Sequence, residues 1–205
     1  MRTAVYVDGF NLYFGLLKRT PYKWLDLQRL FESVLTRNQV TSIRYFTARV
    51  LATPRNPAVH VRQDTYLRAL DAACPNLAVH FGHYVRRELS MENATPPPAT
   101  VRVWKNEEKG SDVNLAVHLV NDAWENRYDC AVVVSNDSDL ASAMDMAKAQ
   151  GKVVGLMPPV GTHRPISGAL RARASFIKRL PSTALAECQL PSPIPGTTIH
   201  KPGRW

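Results

Sequence analysis

Apolar positions along this chain follow two patterns: short continuous runs, and runs that return every three or four residues. Residues 3–7 (TAVYV) and 130–134 (CAVVV) are continuous and rich in β-branched side chains, as expected of strands buried on both faces. Residues 42–50, 77–85, 100–104 and 152–157 read as further strands. Helical spacing lies between them. An apolar stretch at 12–17 follows Asp8-Gly9-Phe10-Asn11, and Asp26 stands as an N-cap ahead of Leu27, Leu30, Phe31, Val34 and Leu35. Asn56-Pro57 opens a helix running to about Ala73. Residues 111–124 form another, and residues 140–149 a last one that stops at Gly151. This alternation predicts an α/β fold with a central, mostly parallel sheet covered on both faces.

Two segments fall outside the pattern. The polar stretch around Pro96-Pro97-Pro98 reads as a mobile loop between strands. Beyond Leu180 the chain is proline-rich, at Pro181, Pro191, Pro193, Pro195 and Pro202, which is the composition of a flexible tail. Leu185, Leu190, Ile194, Ile199 and Trp205 equally suit an extended strap packed along the domain, so both readings of the tail stay open. The expected organisation is one domain over residues 1–180 followed by a tail at 181–205.

With 205 residues, 45% apolar and 21% charged, the chain suits one domain with a full core and excludes wholesale disorder, a coiled coil and a collagen-like fibre. Its apolar runs fall far short of the ~20 residues of a membrane helix, and the first one is too brief for a signal-peptide core. The expected compartment is the cytoplasm. Three cysteines without a CxxC indicate neither a disulfide framework nor a zinc site. The net charge of +9 is uneven: residues 1–139 carry 17 basic and 15 acidic residues, the remainder 9 and 2. That excess is either a solvated face or a patch for a polyanion such as RNA or DNA.

The chemistry sits where strands end. AVYV runs into Asp8, and AVVV runs into Ser135-Asn136-Asp137-Ser138-Asp139. In a parallel sheet those ends share one edge, where ligands bind. Asp112 follows Lys109-Gly110-Ser111 and begins a helix. Each acid has a structural alternative: Asp137 or Ser138 as a helix cap, Asp112 as a partner of its helix dipole. Asp8 and Asn11, however, place polar side chains where the core pattern is still apolar. Converging carboxylates repel, and a divalent cation relieves the repulsion. An all-oxygen donor set favours Mg²⁺ or Mn²⁺, which activate water and neutralise an attacked phosphate. Arg86, Arg87, Lys105 and Lys109 surround Trp104, and Arg164, Arg171, Arg173, Lys178 and Arg179 form a second basic group, with residues 161–164 as a loop beside the metal edge. Trp104 reads first as a strand core residue, with base stacking as the alternative. His118 reads as a packing residue, and His80 and His83 point to opposite faces of a strand, which disfavours a metal role.

Three motifs, VDGFN at 7–11, EKGSDVNLAVHL at 108–119 and YDCAVVVSNDSDL at 128–140, resemble the NYN domain family, relatives of the PIN-domain nucleases, over roughly residues 3–180. The ending, LAECQLPSPIPG followed by KPGRW, resembles the tails of bacterial LabA-like members. The resemblance implies a PIN-like three-layer α/β/α sandwich and a Mg²⁺- or Mn²⁺-dependent endoribonuclease that hydrolyses RNA phosphodiester bonds. It implies that Asp8, Asp112, Asp137 and Asp139 are the catalytic, metal-holding acids and that Asn11 and Ser135 support them. Lys109 would face the scissile phosphate, with Lys105 and Arg164 as further substrate contacts. Two positions depart from the family pattern: Asn136 where many relatives have glycine, and His118 where many carry another acid. The implied partner is RNA, with single strands expected and no membrane. A homodimer and a regulatory protein partner are both compatible with it. The rival reading is a catalytically silent NYN-fold module that binds RNA or protein. A haloacid-dehalogenase phosphatase is disfavoured because Asp8 lacks a DxD partner, and a dinucleotide site because no GxGxxG follows a strand.

Overall fold

β1 (Arg2–Asp8) is buried from Thr3 onward; Ala4 and Tyr6 enter one apolar cluster, Val5 and Val7 the other. β6 (Cys130–Val134) beside it divides the same way, with Ala131 and Val133 opposed to Cys130, Val132 and Val134. A strand whose alternate residues enter two separate cores must lie in the middle layer of three. The structure is a computed structural model that describes residues 1–54, 56–161 and 164–203. With β2 (Gln39–Thr47), β3 (Leu77–Phe81), β7 (Val153–Leu156) and β8 (Phe176–Ile177), these strands form a parallel sheet of order β3-β2-β1-β6-β7-β8.

On one face lie α1 (Gly9–Leu12), α2 (Leu27–Val34), α3 (Val59–Ala73) and α7 (Ser182–Glu187), contributing Leu12, Phe31, Leu70 and Leu185. On the other lie α4 (Ser111–Trp124), α5 (Ala141–Ala149) and α6 (Gly168–Arg173), contributing Leu115, Met144 and Leu170. The expected α/β/α sandwich is therefore present. Among the described residues no helix is long and apolar enough to cross a membrane.

α1 continues as a π-helical turn, Tyr13–Leu17, a form that occurs preferentially at functional sites. It is seated by Gly9, where a Cβ would lie 2.7 Å from the Tyr45 ring and 2.8 Å from the Phe46 carbonyl oxygen. Asp26 caps α2 as expected, accepting the Arg29 N–H at 2.9 Å.

Several expected elements are displaced. β2 begins and ends earlier than 42–50. Asn56-Pro57 does not open α3: Ala58 holds the cap position, while the Asn56 side chain accepts from Arg62. The strand expected at 77–85 breaks at Gly82, which is wedged so tightly that a Cβ would stand 2.5 Å from the Lys109 carbonyl oxygen. From there β4 (His83–Glu92) leaves the sheet and pairs antiparallel with β5 (Thr100–Lys109), twice as long as the strand read at 100–104. The three prolines lie in the tip joining them. This hairpin starts at the carboxyl edge of the sheet, just after β3.

The tail packs as a strap. Leu185, Leu190 and Ile194 are buried in the first core, and Ile199 packs against it. The Leu190 N–H donates to the Trp24 carbonyl at 2.9 Å, and the Trp24 indole donates to the Pro191 carbonyl at 3.1 Å. Trp205, read as a further anchor, lies outside the described residues. All three cysteines are free thiols and buried.

Candidate functional site

In this strand order the chain runs from β1 through β2 to β3 in one direction, and from β6 through β7 to β8 in the other. The carboxyl ends of β1 and β6 thus flank the topological switch point, where a crevice opens in doubly wound sheets. Asp8 ends β1 there, and Ser135-Asn136-Asp137 follows β6. Asp8 is only 8% exposed and is held on both oxygens. Its Oδ1 accepts the Asn11 backbone N–H at 2.9 Å; its Oδ2 accepts the Asn11 amide at 2.7 Å and the Ser135 hydroxyl at 3.0 Å. Ser135 in turn accepts the Asp137 N–H at 3.1 Å, and Asn11 Oδ1 accepts the Asn136 N–H at 3.3 Å. Asn11 and Ser135 therefore lock the two strand ends to each other.

Burial raises the Asp8 pKa above the ordinary carboxylate range, and the nearby charge of Asp137 adds to the rise, against the hydrogen bonds from Asn11 and Ser135. Among the described residues neither Asp8 nor Asp137 forms an ion pair with Lys or Arg. A half-buried, all-oxygen pair with uncompensated like charge fits Mg²⁺ or Mn²⁺, since Mg²⁺ keeps several waters and takes only one or two protein carboxylates. It is not a closed cage: among the described residues no three His, Cys, Asp or Glu side chains converge to hold a metal. Asp112 is partly buried in the first turn of α4 and accepts the neighbouring Val113 N–H at 2.9 Å. Asp139 is exposed, and its N–H donates to Asp137 Oδ1 at 3.1 Å, so Asp137 also caps the turn Ser138–Leu140.

The basic groups are unevenly available. Lys105 and Lys109 both engage Glu107, at 2.5 and 3.4 Å, and together lower its pKa, Lys105 more strongly. Arg164 is exposed; the carbonyl of the next residue, Pro165, accepts from the Asn136 amide at 3.3 Å, which ties this segment to the acid edge. Thr162 and His163 of the loop read at 161–164 lie outside the described residues. Arg173 is paired with Asp145, and Lys178 donates to the Val34 carbonyl. Trp104 is not a core residue: it is 61% exposed on the hairpin, with the Arg86 guanidinium 4.5 Å from its ring centre. A two-stranded sheet has no second layer to bury it.

Sequence reasoning missed an aromatic hollow of about 690 Å³ beside α1, lined by Phe10, Tyr13, Phe14 and Tyr84. These residues come from separate segments, and the one signal, Phe10 and Phe14 four apart, reads equally as a helix core face. It also missed a buried polar network on the opposite face. Arg44 grips Asp122 at 2.6 and 3.0 Å, and the Tyr6 hydroxyl donates to Asp122 at 2.7 Å. His118 packs as expected, 4.2 Å from the His80 ring and 5.7 Å from Phe46. His80 and His83 belong to different strands.

Burial, then the His118 and Arg44 side chains, lower the His80 pKa to about 4, against the pull of Asp122. A base whose folded pKa lies below its ordinary 6.5 keeps its stabilising effect above pH 6.5 and loses it as pH falls toward 4, because the unfolded chain takes the proton first. For a half-exposed ring, solvent screening reduces the effect to about 1–2 kcal/mol. The urea midpoint is expected to fall between pH 7 and pH 4.5, and His80→Phe to fall less; parallel slopes for the two proteins would refute the assignment.

Comparison with known proteins bears on the fold and the family. A solved protein of unknown function from Vibrio parahaemolyticus is similar in fold, with a TM-score of 0.52 over 88% of this chain and 93% of its own, at 17% identity. The 6-hydroxy-3-succinoylpyridine 3-monooxygenase HspA of Pseudomonas putida (strain DSM 28022 / S16) is 36% identical over 238 aligned positions, covering all of this chain and 75% of that protein. The family model for the NYN domain matches residues 2–180, from the first strand through the last basic group, and the chain belongs to the NYN domain family.

Proposed function

We propose that the protein is a Mg²⁺- or Mn²⁺-dependent endoribonuclease of the LabA-like branch, acting at the carboxyl edge of the sheet. The observation that carries this reading is the buried Asp8 beside Asp137, two like charges without a cationic partner among the described residues, at the switch point of a PIN-like fold. Asp8 and Asp137 would hold the cation, with Asp112 and Asp139 as the outer acids. A bound divalent ion supplies an activated water and neutralises charge on the attacked phosphate.

The chain's own residues do the positioning. Asn11 and Ser135 fix the Asp8 carboxylate, and the Asp139 N–H fixes Asp137. Arg164 approaches the strand's phosphates from the segment tethered by Asn136. Lys105 and Lys109 exchange Glu107 for phosphate as RNA arrives, and Trp104 with Arg86 offers a stacking surface on the hairpin. End-labelled single-stranded RNA is expected to be cleaved with Mn²⁺ or Mg²⁺ and spared in EDTA. RNA retained but uncut in either metal would favour the silent binding module.

A second reading has its own observation. The Pseudomonas relative is named as a monooxygenase acting on a substituted pyridine, and the aromatic hollow beside α1 has small-molecule size. Hydroxylation consumes O₂ and two reducing equivalents, so reductant and O₂ consumption in the presence of 6-hydroxy-3-succinoylpyridine is its direct test.

A further inference from the structure

We propose that the trough beside α1 is a subsite for one RNA base flanking the cleaved phosphate, an inference that rests on the ribonuclease reading. Its volume of about 690 Å³ lies in the range of ligand sites. Phe10 and Phe14 lie nearly parallel, with centroids 6.4 Å apart and planes at 21°, and Tyr84 stands edge-on to Phe10 at 6.2 Å and 89°. Phe14 keeps 57% of its surface in solvent, so a base can reach its ring once the flexible Lys18 side chain swings toward a phosphate.

Charge and continuity point to an anionic strand. Lys18, 4.9 Å from the Phe14 ring centre, joins Lys23 and Arg62 in the lining, and no carboxylate lies among the described residues that line the trough. A second hollow of about 270 Å³ shares Val50, Asn56, Val59 and Tyr84 with the first and is also lined by Asn106, next to Lys105 on β5. Two hollows that share walls suit a chain that continues beyond the ring better than an isolated heterocycle. The acid site adjoins the first hollow: Gly9 and Phe10 follow Asp8 directly, and the Tyr45 phenol in its lining feels the Asp8 charge.

Two of the polar side chains in the trough are already engaged within the protein. The Gln63 amide is spent on the Val50 N–H and the Ala48 carbonyl, each at 2.9 Å, and the Asn56 oxygen on Arg62. Stacking on the rings is then the main contact, which selects for single strands.

The test is binding, in EDTA, of a fluorescein-labelled oligouridylate of about a dozen nucleotides, a length that covers one such groove. Phe14→Ala, at an exposed position, is expected to bind about tenfold more weakly and Phe14→Trp to bind as wild type. An abasic residue walked along the oligonucleotide should weaken wild type about tenfold at one position and cost Phe14→Ala nothing further there. Equal binding by wild type and Phe14→Ala, with metal-dependent cleavage intact, overturns this inference alone. Absence of RNA binding by wild type overturns it together with the ribonuclease reading. Displacement of the oligonucleotide by nicotinate more readily than by uridine 5′-monophosphate assigns the trough to a free heteroaromatic acid and also overturns it.

Discussion

Asp137→Asn lowers metal-dependent RNA cleavage at least about 100-fold while leaving the fold and RNA affinity in place. The structural work of this side chain is one hydrogen bond, from the Asp139 N–H at 3.1 Å, and an asparagine oxygen accepts it equally well. What the substitution removes is the charge beside Asp8, and with it half of the pair that fits a divalent cation. RNA affinity in EDTA is expected to hold or rise, because one negative charge near the phosphates is gone. Single-turnover cleavage with Mn²⁺, read beside the unfolding midpoints of both proteins, checks the expectation. Asp8→Asn is a less clean variant: Oδ2 receives both the Asn11 amide and the Ser135 hydroxyl, and an amide there turns an N–H toward one of those donors. Asp112→Asn and Asp139→Asn are expected to cost less than Asp137→Asn. Equal cleavage by wild type and Asp137→Asn would leave only the silent module or a contaminant.

The central strands and α4 were legible in the sequence because their burial is decided locally. CAVVV is apolar at every position and occupies the middle of the sheet, and α4 runs over the stretch 111–124 because Gly110, at φ +91°, turns β5 into it. The hairpin was not legible, since β4 and β5 contribute no described residue to either buried core and so carry only a weak apolar pattern. Proline content left the tail undecided. Its partners, Trp24, Leu25 and Asp26, lie more than a hundred residues earlier, where no local pattern announces them. At the candidate site, strand ends pointed to Asp8 and Asp137, and Asn11 stood out as a polar position in an apolar pattern, whereas Ser135 was readable as a support only through family resemblance. The aromatic trough was hidden for the same reason as the tail: its walls meet only once the chain has folded.

Asp122→Ala is expected to cost about 3–5 kcal/mol, a loss characteristic of breaking a buried ion pair from one side. Asp122 is 2% exposed in the last turn of α4, where its sequence context reads as one more polar helix position. It accepts from Arg44 on β2 at 2.6 and 3.0 Å and from the Tyr6 hydroxyl on β1 at 2.7 Å, so a single carboxylate ties the helix to two strands. Truncation leaves a mostly buried guanidinium and a buried phenol without that acceptor, and for a chain of this length Tm should fall by about 10 °C. Replacing both charges, Arg44→Met with Asp122→Leu, should cost less than Asp122→Ala alone, because the expensive species is the unpaired charge rather than the missing bridge. Urea unfolding of Arg44→Met, Asp122→Leu and the double variant measures the coupling; additive losses would refute it. Cleavage gives the complementary reading. Asp122 lies ten residues along α4 from Asp112, about 15 Å at the helical rise, so below the lowered Tm the rate per folded molecule should stay within a few-fold of wild type. A collapse of that rate in fully folded Asp122→Ala would move this network from the scaffold into the site.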